Sequence, residues 1–253
     1  MKKIPQEKLF LSGMDARAPQ LARERGLGLE LTLFSYAPNL EDAAQLAAAR
    51  EQMQGISRFW LHAPFAELAP CAIDPMVRQV VLTRFRQTLA VAQQLGVTHI
   101  VVHGGYQPHV YFPEWYVAQS VEFWKDFLRE VPQNMTLALE NVMEPSPETL
   151  VEIVRQVDDP RLGLCLDVGH ANTCVSSLPP LQWLPPPPMA PWLRHLHVHN
   201  NEGQDDLHAA LGAGRIPMAR LLDEAQRLCP QASYTIETQD CAASLRWLEE
   251  EEA

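Results

Sequence analysis

Eight short runs of mostly apolar, β-favouring residues recur along the chain with longer amphipathic segments between them, and this alternation constrains the fold more than any other feature. The runs are KLFLS (8–12), LGLELTLF (27–34), SRFWLH (57–62), THIVVH (98–103), MTLALE (135–140), LGLCLD (162–167), LRHLHVH (193–199) and SYTIE (233–237). Strands joined through helices pair in parallel, because each crossover returns the chain to the same end of the sheet. Helix signals fall between the runs. DPMVRQVVLTRFRQTLAVAQQLG opens on Asp74 and Pro75 and closes on Gly96. SPETLVEIVRQV opens on Ser146, with Pro147 at the expected first helical position and Glu148 and Glu152 near or in its first turns. Eight βα units in 253 residues are the arithmetic of one α/β domain, a (β/α)8 TIM barrel over residues 1–253. The span SSLPPLQWLPPPPMAP (176–191) is too proline-rich for a continuous helix and reads as a rigid surface connection before the seventh strand.

His62, His103, Glu140, Asp167 and Glu237 are each the last residue of one of these runs. In a parallel barrel the carboxyl ends of the strands open on one mouth, so these side chains are expected to converge there. Taken singly, His62 and His103 also read as hydrogen-bonded histidines at the edge of a core, and Asp167 as the cap of the next element. Glu140 and Glu237 end apolar strands that carry no lysine or arginine, so each needs a cation opposite it. LGLCLDVGHAN is the strongest single motif: Asp167 ends a strand, Gly169 permits a turn, and His170 begins the next element. Carboxylate and imidazole together suit zinc, manganese or a similar ion.

In LRHLHVHNN the strand period of two puts His195, His197 and His199 on one face. At about 3.3 Å per residue the outer two lie roughly 13 Å apart, so one ion cannot take all three. At most two of them can stand in the ligand layer, His199 lying nearer the mouth than His197 and His195 below it. Asp206 and His208, two residues apart in the following loop, either chelate an ion from one extended segment or form a solvated polar loop.

Composition narrows the partners. The formal net charge of −11 argues against a nucleic-acid backbone as ligand. Five widely spaced cysteines form no C-x-x-C pair and read as reduced thiols. No run of about 18 apolar residues occurs and the amino terminus carries no leader pattern, so a soluble, cytoplasmic protein is expected, without a membrane partner.

The stretches LCLDVGHAN, HVHNN followed by DDLHAALGAG, and ALEN, with WLHAPF, VVHGGY and TIET in the same order, resemble the xylose-isomerase-like TIM barrels. That superfamily holds sugar isomerases and epimerases together with endonuclease IV. By resemblance to endonuclease IV, one zinc would take His62, His103 and Glu140, and a second Glu140, Asp167, His197 and Glu237. A third would take His170, Asp206 and His208. By resemblance to the epimerases, one zinc or manganese would sit among Glu140, Asp167, His197 and Glu237, with His170 near the substrate. Glu237 would then act as base and Glu140 as partner acid in a proton transfer through a metal-stabilised enediolate. The match departs from the epimerases where Glu144 only loosely supplies an extra acid and where Arg215 is a distant candidate for an expected arginine.

The resemblance thus implies one to three divalent ions and either of two activities. The first is isomerisation or epimerisation of a small sugar, polyol or sugar phosphate. The second is hydrolysis of a small phosphoester, with DNA disfavoured because no basic loop carrying aromatic or arginine wedges is present. A barrel that keeps the ligands without turnover is a third reading. Substrate contacts are expected from Glu30, Tyr106 and His199, and specificity from the loops FSYAPN (34–39) and GGYQPHVYFPEWY (104–116). A homo-oligomer is compatible with the sequence.

Overall fold

Each of the eight runs forms a strand in the computed structural model, which describes residues 3–173, 176–184 and 189–252. The strands are β1 (Leu9–Ser12), β2 (Gly28–Leu31), β3 (Phe59–His62), β4 (His99–His103), β5 (Thr136–Glu140), β6 (Leu162–Asp167), β7 (Leu193–Val198) and β8 (Ser233–Ile236). All pair in parallel, each with its sequence neighbour, and β1 closes on β8. The fold is a TIM barrel. The second run is shorter than its apolar pattern predicts, because Thr32 turns into helical dihedrals and Leu33–Ser35 form a 3-10 turn.

The outer layer is built from α1 (Ala18–Arg25), α2 (Ala43–Met53), α3 (Pro75–Leu95), α4 (Pro113–Phe127), α5 (Glu148–Val157), α6 (Met218–Leu228) and α7 (Cys241–Glu252). In α3 the Asp74 carboxylate accepts from the Met76 N–H at 2.8 Å, Pro75 occupies the first turn, and Gly96 ends the helix at φ 71°. That left-handed conformation is nearly free of cost for glycine only. Helix α5 buries Leu150, Ile153, Val154 and Val157, one apolar stripe at helical spacing. It begins at Glu148, one residue later than the sequence predicts, with Pro147 in the cap position. Ser146 supplies no cap, and Pro145 is instead tied by its carbonyl to the Ser177 N–H at 2.8 Å.

Between β6 and β7 the described residues contain no α-helix, only 3-10 turns at His170–Asn172 and Pro180–Gln182. The expected surface connection is in part an inward one: Trp183, Leu184 and Met189 are fully buried. Its residues 185–188 lie outside the described residues.

One side-chain layer fixes the position of the site. Phe10, Trp60, Val101, Ala138 and Cys165 form a buried cluster of their own, apart from the larger core between barrel and helices. They plug the barrel interior. Two residues further along β3, β4, β5 and β6 stand His62, His103, Glu140 and Asp167, so the strand period puts all four one layer above the plug.

Candidate metal centre

Glu140 is the hub of this layer. Its Oε2 lies 3.4 Å from His62 Nε2 and 3.0 Å from His103 Nε2, while its Oε1 lies 3.2 Å from His197 Nδ1 and 3.4 Å from His170 Nδ1. Glu237, one residue beyond β8, reaches the same His197 Nδ1 at 3.2 Å, and Asp167 at 3.8 Å. Glu140, Asp167, His197 and Glu237 each offer a ligand atom within 4.8 Å of the others, as do His62, His103 and Glu140 in a second group. In the loop beyond β7, Asp206 Oδ2 receives His170 Nε2 at 3.2 Å and His208 Nε2 at 2.9 Å. His208 also groups with His199 and Glu237.

The hydrogen bonds assign tautomers that suit an ion. The Nδ1 atoms of His62, His170 and His208 lie 2.8–3.0 Å from the backbone carbonyls of Ala63, Asn141 and Glu237. A carbonyl only accepts, so each Nδ1 carries the proton, and in the neutral ring Nε2 keeps a lone pair aimed into the site. His103 Nε2 and Glu140 Oε2 are buried without a hydrogen-bond partner although they face each other. Two orphaned ligand atoms at one point are what a bound cation would satisfy.

Charge leads to the same place. Glu30, Glu140, Asp167, Asp206 and Glu237 form ion pairs only with imidazoles, and no lysine or arginine reaches them among the described residues. Burial pushes the Glu140 carboxyl up, but His197 and His103 beside it hold it well below the usual range. Asp167 is brought down to about 2, with His170 and His199 outweighing its burial. Burial opposes protonation of His208, yet Asp206 and Glu237 lift it to about 9. For His103 burial prevails over Glu140, and its imidazole titrates lower than usual. Protons on some imidazoles therefore stand where a divalent ion could supply the charge. The residues present fit such an ion.

Asp167 Oδ1 accepts the His170 N–H at 2.7 Å, the turn-capping contact expected as the alternative to a ligand role, while the same carboxylate belongs to the group that could hold an ion. The mouth above the layer encloses about 500 Å³ and is lined by His62, His103, Glu140, His170, His208 and Glu237, with Thr32, Ser35 and Phe65 on its wall. The three expected substrate contacts lie elsewhere. Glu30 is fully buried beneath the ligand layer, His199 is fully buried with Nε2 on Asp167 at 3.0 Å, and Tyr106 packs on Tyr116 with ring centroids 4.9 Å apart. Arg215 faces out to Glu202, and Glu144 is buried against the Tyr116 hydroxyl at 2.7 Å.

Residues not singled out in the sequence brace the site. Asn141 exchanges side-chain bonds with the Asp167 backbone at 2.8 and 2.9 Å, locking the ends of β5 and β6 together. Asn200 bonds the Leu211 and Ile216 backbone, and Asn201 the Gly169 carbonyl, which hold the loop carrying Asp206 and His208 over the barrel. Both stand in HVHNN directly after a buried strand, where an amide must find partners, and that was the available signal.

Residues 20–251 match the xylose isomerase-like TIM barrel family. The chain belongs to that family. Among curated relatives, the uncharacterized protein MJ1311 of Methanocaldococcus jannaschii is 29% identical over 191 residues, 71% of this chain and 64% of that protein. The chain thus matches under two thirds of that relative's length. Among solved structures of the family's fold, the TTHB071 protein from Thermus thermophilus, soaked with ZnCl2, is 26% identical with a TM-score of 0.75, covering 96% of this chain and 97% of that one. A D-tagatose 3-epimerase-like protein is 23% identical, also with a TM-score of 0.75, and covers 96% of both chains. At that identity the likeness is one of fold.

Proposed function

We propose that this chain is a divalent-metal-dependent isomerase or epimerase of a small sugar or keto-polyol, moving a proton at a carbon next to its carbonyl. The observation that carries the reading is the quartet Glu140, Asp167, His197 and Glu237, in which two carboxylates approach one imidazole nitrogen and both open on the mouth. A zinc or manganese ion held by these four residues would supply Lewis acidity toward adjacent oxygens of the sugar. Glu237, at the rim of the barrel after β8, takes the proton from carbon, and Glu140 stands across the site as the partner acid. Thr32, Ser35 and Thr173 offer hydroxyls to the sugar. No lysine or arginine lines the mouth among its described residues, which favours an uncharged substrate over a phosphorylated one. The structural neighbours that are epimerases support the same class, including a D-psicose 3-epimerase crystallised in the presence of D-fructose.

A second reading, hydrolysis of a small phosphoester at a multinuclear centre, is favoured by the group His62, His103 and Glu140 and by the convergence of His170 and His208 on Asp206. The epimerase reading gives those residues no ligand role. Elemental analysis of the purified protein separates the two. About one zinc or manganese per chain supports proton transfer, whereas two or three zincs per chain support the hydrolase.

A further inference from the structure

Glu30 lies in the middle of β2, is fully buried, and has neither a lysine nor an arginine as partner among the described residues. A carboxylate in that position must be balanced by the groups that touch it. They come from two strands far away in sequence. His197 Nε2 lies 3.0 Å from Oε1 and 3.1 Å from Oε2, and the Thr235 hydroxyl donates to Oε2 at 2.5 Å. His195 Nε2 stands 2.8 Å from the Thr235 oxygen, and His195 Nδ1 lies 2.7 Å from the Ser233 hydroxyl.

The donors in this chain can run in one direction only. A carboxylate solely accepts, so Thr235 spends its proton on Glu30, His195 Nε2–H is given to the Thr235 oxygen and, at 3.3 Å, to Glu30 Oε2 itself, and in the neutral ring His195 Nδ1 accepts from Ser233. At the other end His197 must donate its Nε2–H to Glu30. The lone pair of its neutral ring is then on Nδ1, the atom facing Glu140, Asp167 and Glu237. Trp60 stacks on His195 with ring centroids 4.1 Å apart and fixes the lower end of the chain.

We propose that Glu30 is a positioning residue of the metal centre, which with Thr235, His195 and Ser233 sets the tautomer, direction and donor strength of His197. The inference rests on the metal reading above. An imidazole whose far N–H is given to a carboxylate binds a metal more tightly, and loss of such a partner typically weakens affinity by about 10–100-fold.

The test is zinc affinity, measured by competition with a chromophoric chelator, for the natural chain, Glu30→Gln and Leu29→Ala, with secondary structure and thermal unfolding followed in parallel. Leu29 is the buried neighbour of Glu30 and belongs to the outer core, so its truncation lowers stability without touching the relay. The expected result is zinc binding about 10–100-fold weaker in Glu30→Gln at unchanged secondary structure, with Leu29→Ala within about twofold of the natural chain. In the metal-loaded natural chain, nitrogen NMR should find His197 protonated at Nε2. Undiminished zinc affinity in Glu30→Gln, or an equal loss in Leu29→Ala, overturns the assignment while leaving the metal site standing. A natural chain that binds neither zinc nor manganese overturns both.

Discussion

Glu140 is 1% exposed and stands within 3.4 Å of four imidazoles, so its charge organises everything around it. Replacing it by Gln keeps the volume and removes the charge. Under either enzymatic reading Glu140→Gln should lower turnover by at least about 100-fold in steady-state assays, with the fold retained by circular dichroism. The loop pair gives a pH signature. In metal-free protein the His208 pKa rises from 6.5 to about 9, so its contribution to stability is complete below pH 6.5 and is lost as pH rises through about 9. Asp206 is depressed below 3.8, largely because His170 and His208 outweigh its burial, so its contribution is present above 3.8 and is lost on acidification. Chelator-treated protein should therefore unfold at lower denaturant at pH 9.5 than at pH 6, and zinc, which displaces the imidazole protons, should bind more tightly as pH rises over that interval. The strand-end residues that converge at the mouth were legible because each ends an apolar run. Glu30 and His199, read as substrate contacts, are fully buried and do not line the mouth; their partners are on other strands, and a single sequence does not state which side chains share a layer.

At the level of elements, the period of two along β3 to β6 does most of the positioning: an apolar plug residue, then a candidate ligand, on four successive strands. The eight strands and the caps of α3 were readable for that reason, since periodicity and cap chemistry are local. Failures came where tertiary contacts take over. Pro145 is bonded to Ser177 and delays α5, and the proline-rich stretch before β7 turns Trp183 and Met189 into the core. The turn after β6 is the tightest joint. A Cβ on Gly169 would fall 1.8 Å from Cε1 of the His199 ring, which must then leave Asp167. Gly169→Ala should destabilise the protein by about 1–3 kcal/mol in chemical denaturation, and weaken metal binding in the same variant. A destabilised protein with unchanged metal affinity would mean that the bond between His199 and Asp167 does not hold Asp167 in place.

For the molecule as a whole, an acidic chain of net charge −11 gathers six of its nine histidines, His62, His103, His170, His197, His199 and His208, around Glu140, Asp167, Asp206 and Glu237, and the family's barrel brings them there from segments spread over the sequence. None of the described residues forms a helix long and apolar enough to cross a membrane. The described cysteines, Cys71, Cys165, Cys229 and Cys241, are free and buried; Cys174 lies outside the described residues. The fold and the residues that converge at the mouth followed from the sequence, but substrate did not, because the mouth is walled by loops whose side chains only the structure places. The measurement that bears most directly on the central claim is solvent exchange. Metal-loaded protein is incubated in heavy water with a panel of unphosphorylated ketoses, and deuterium at the carbon beside the carbonyl is followed by mass spectrometry. The predicted result is incorporation into at least one sugar, abolished by chelation and by Glu237→Gln. Fully metal-loaded protein that exchanges no deuterium into any ketose of the panel, yet releases phosphate from small phosphoesters, would contradict it.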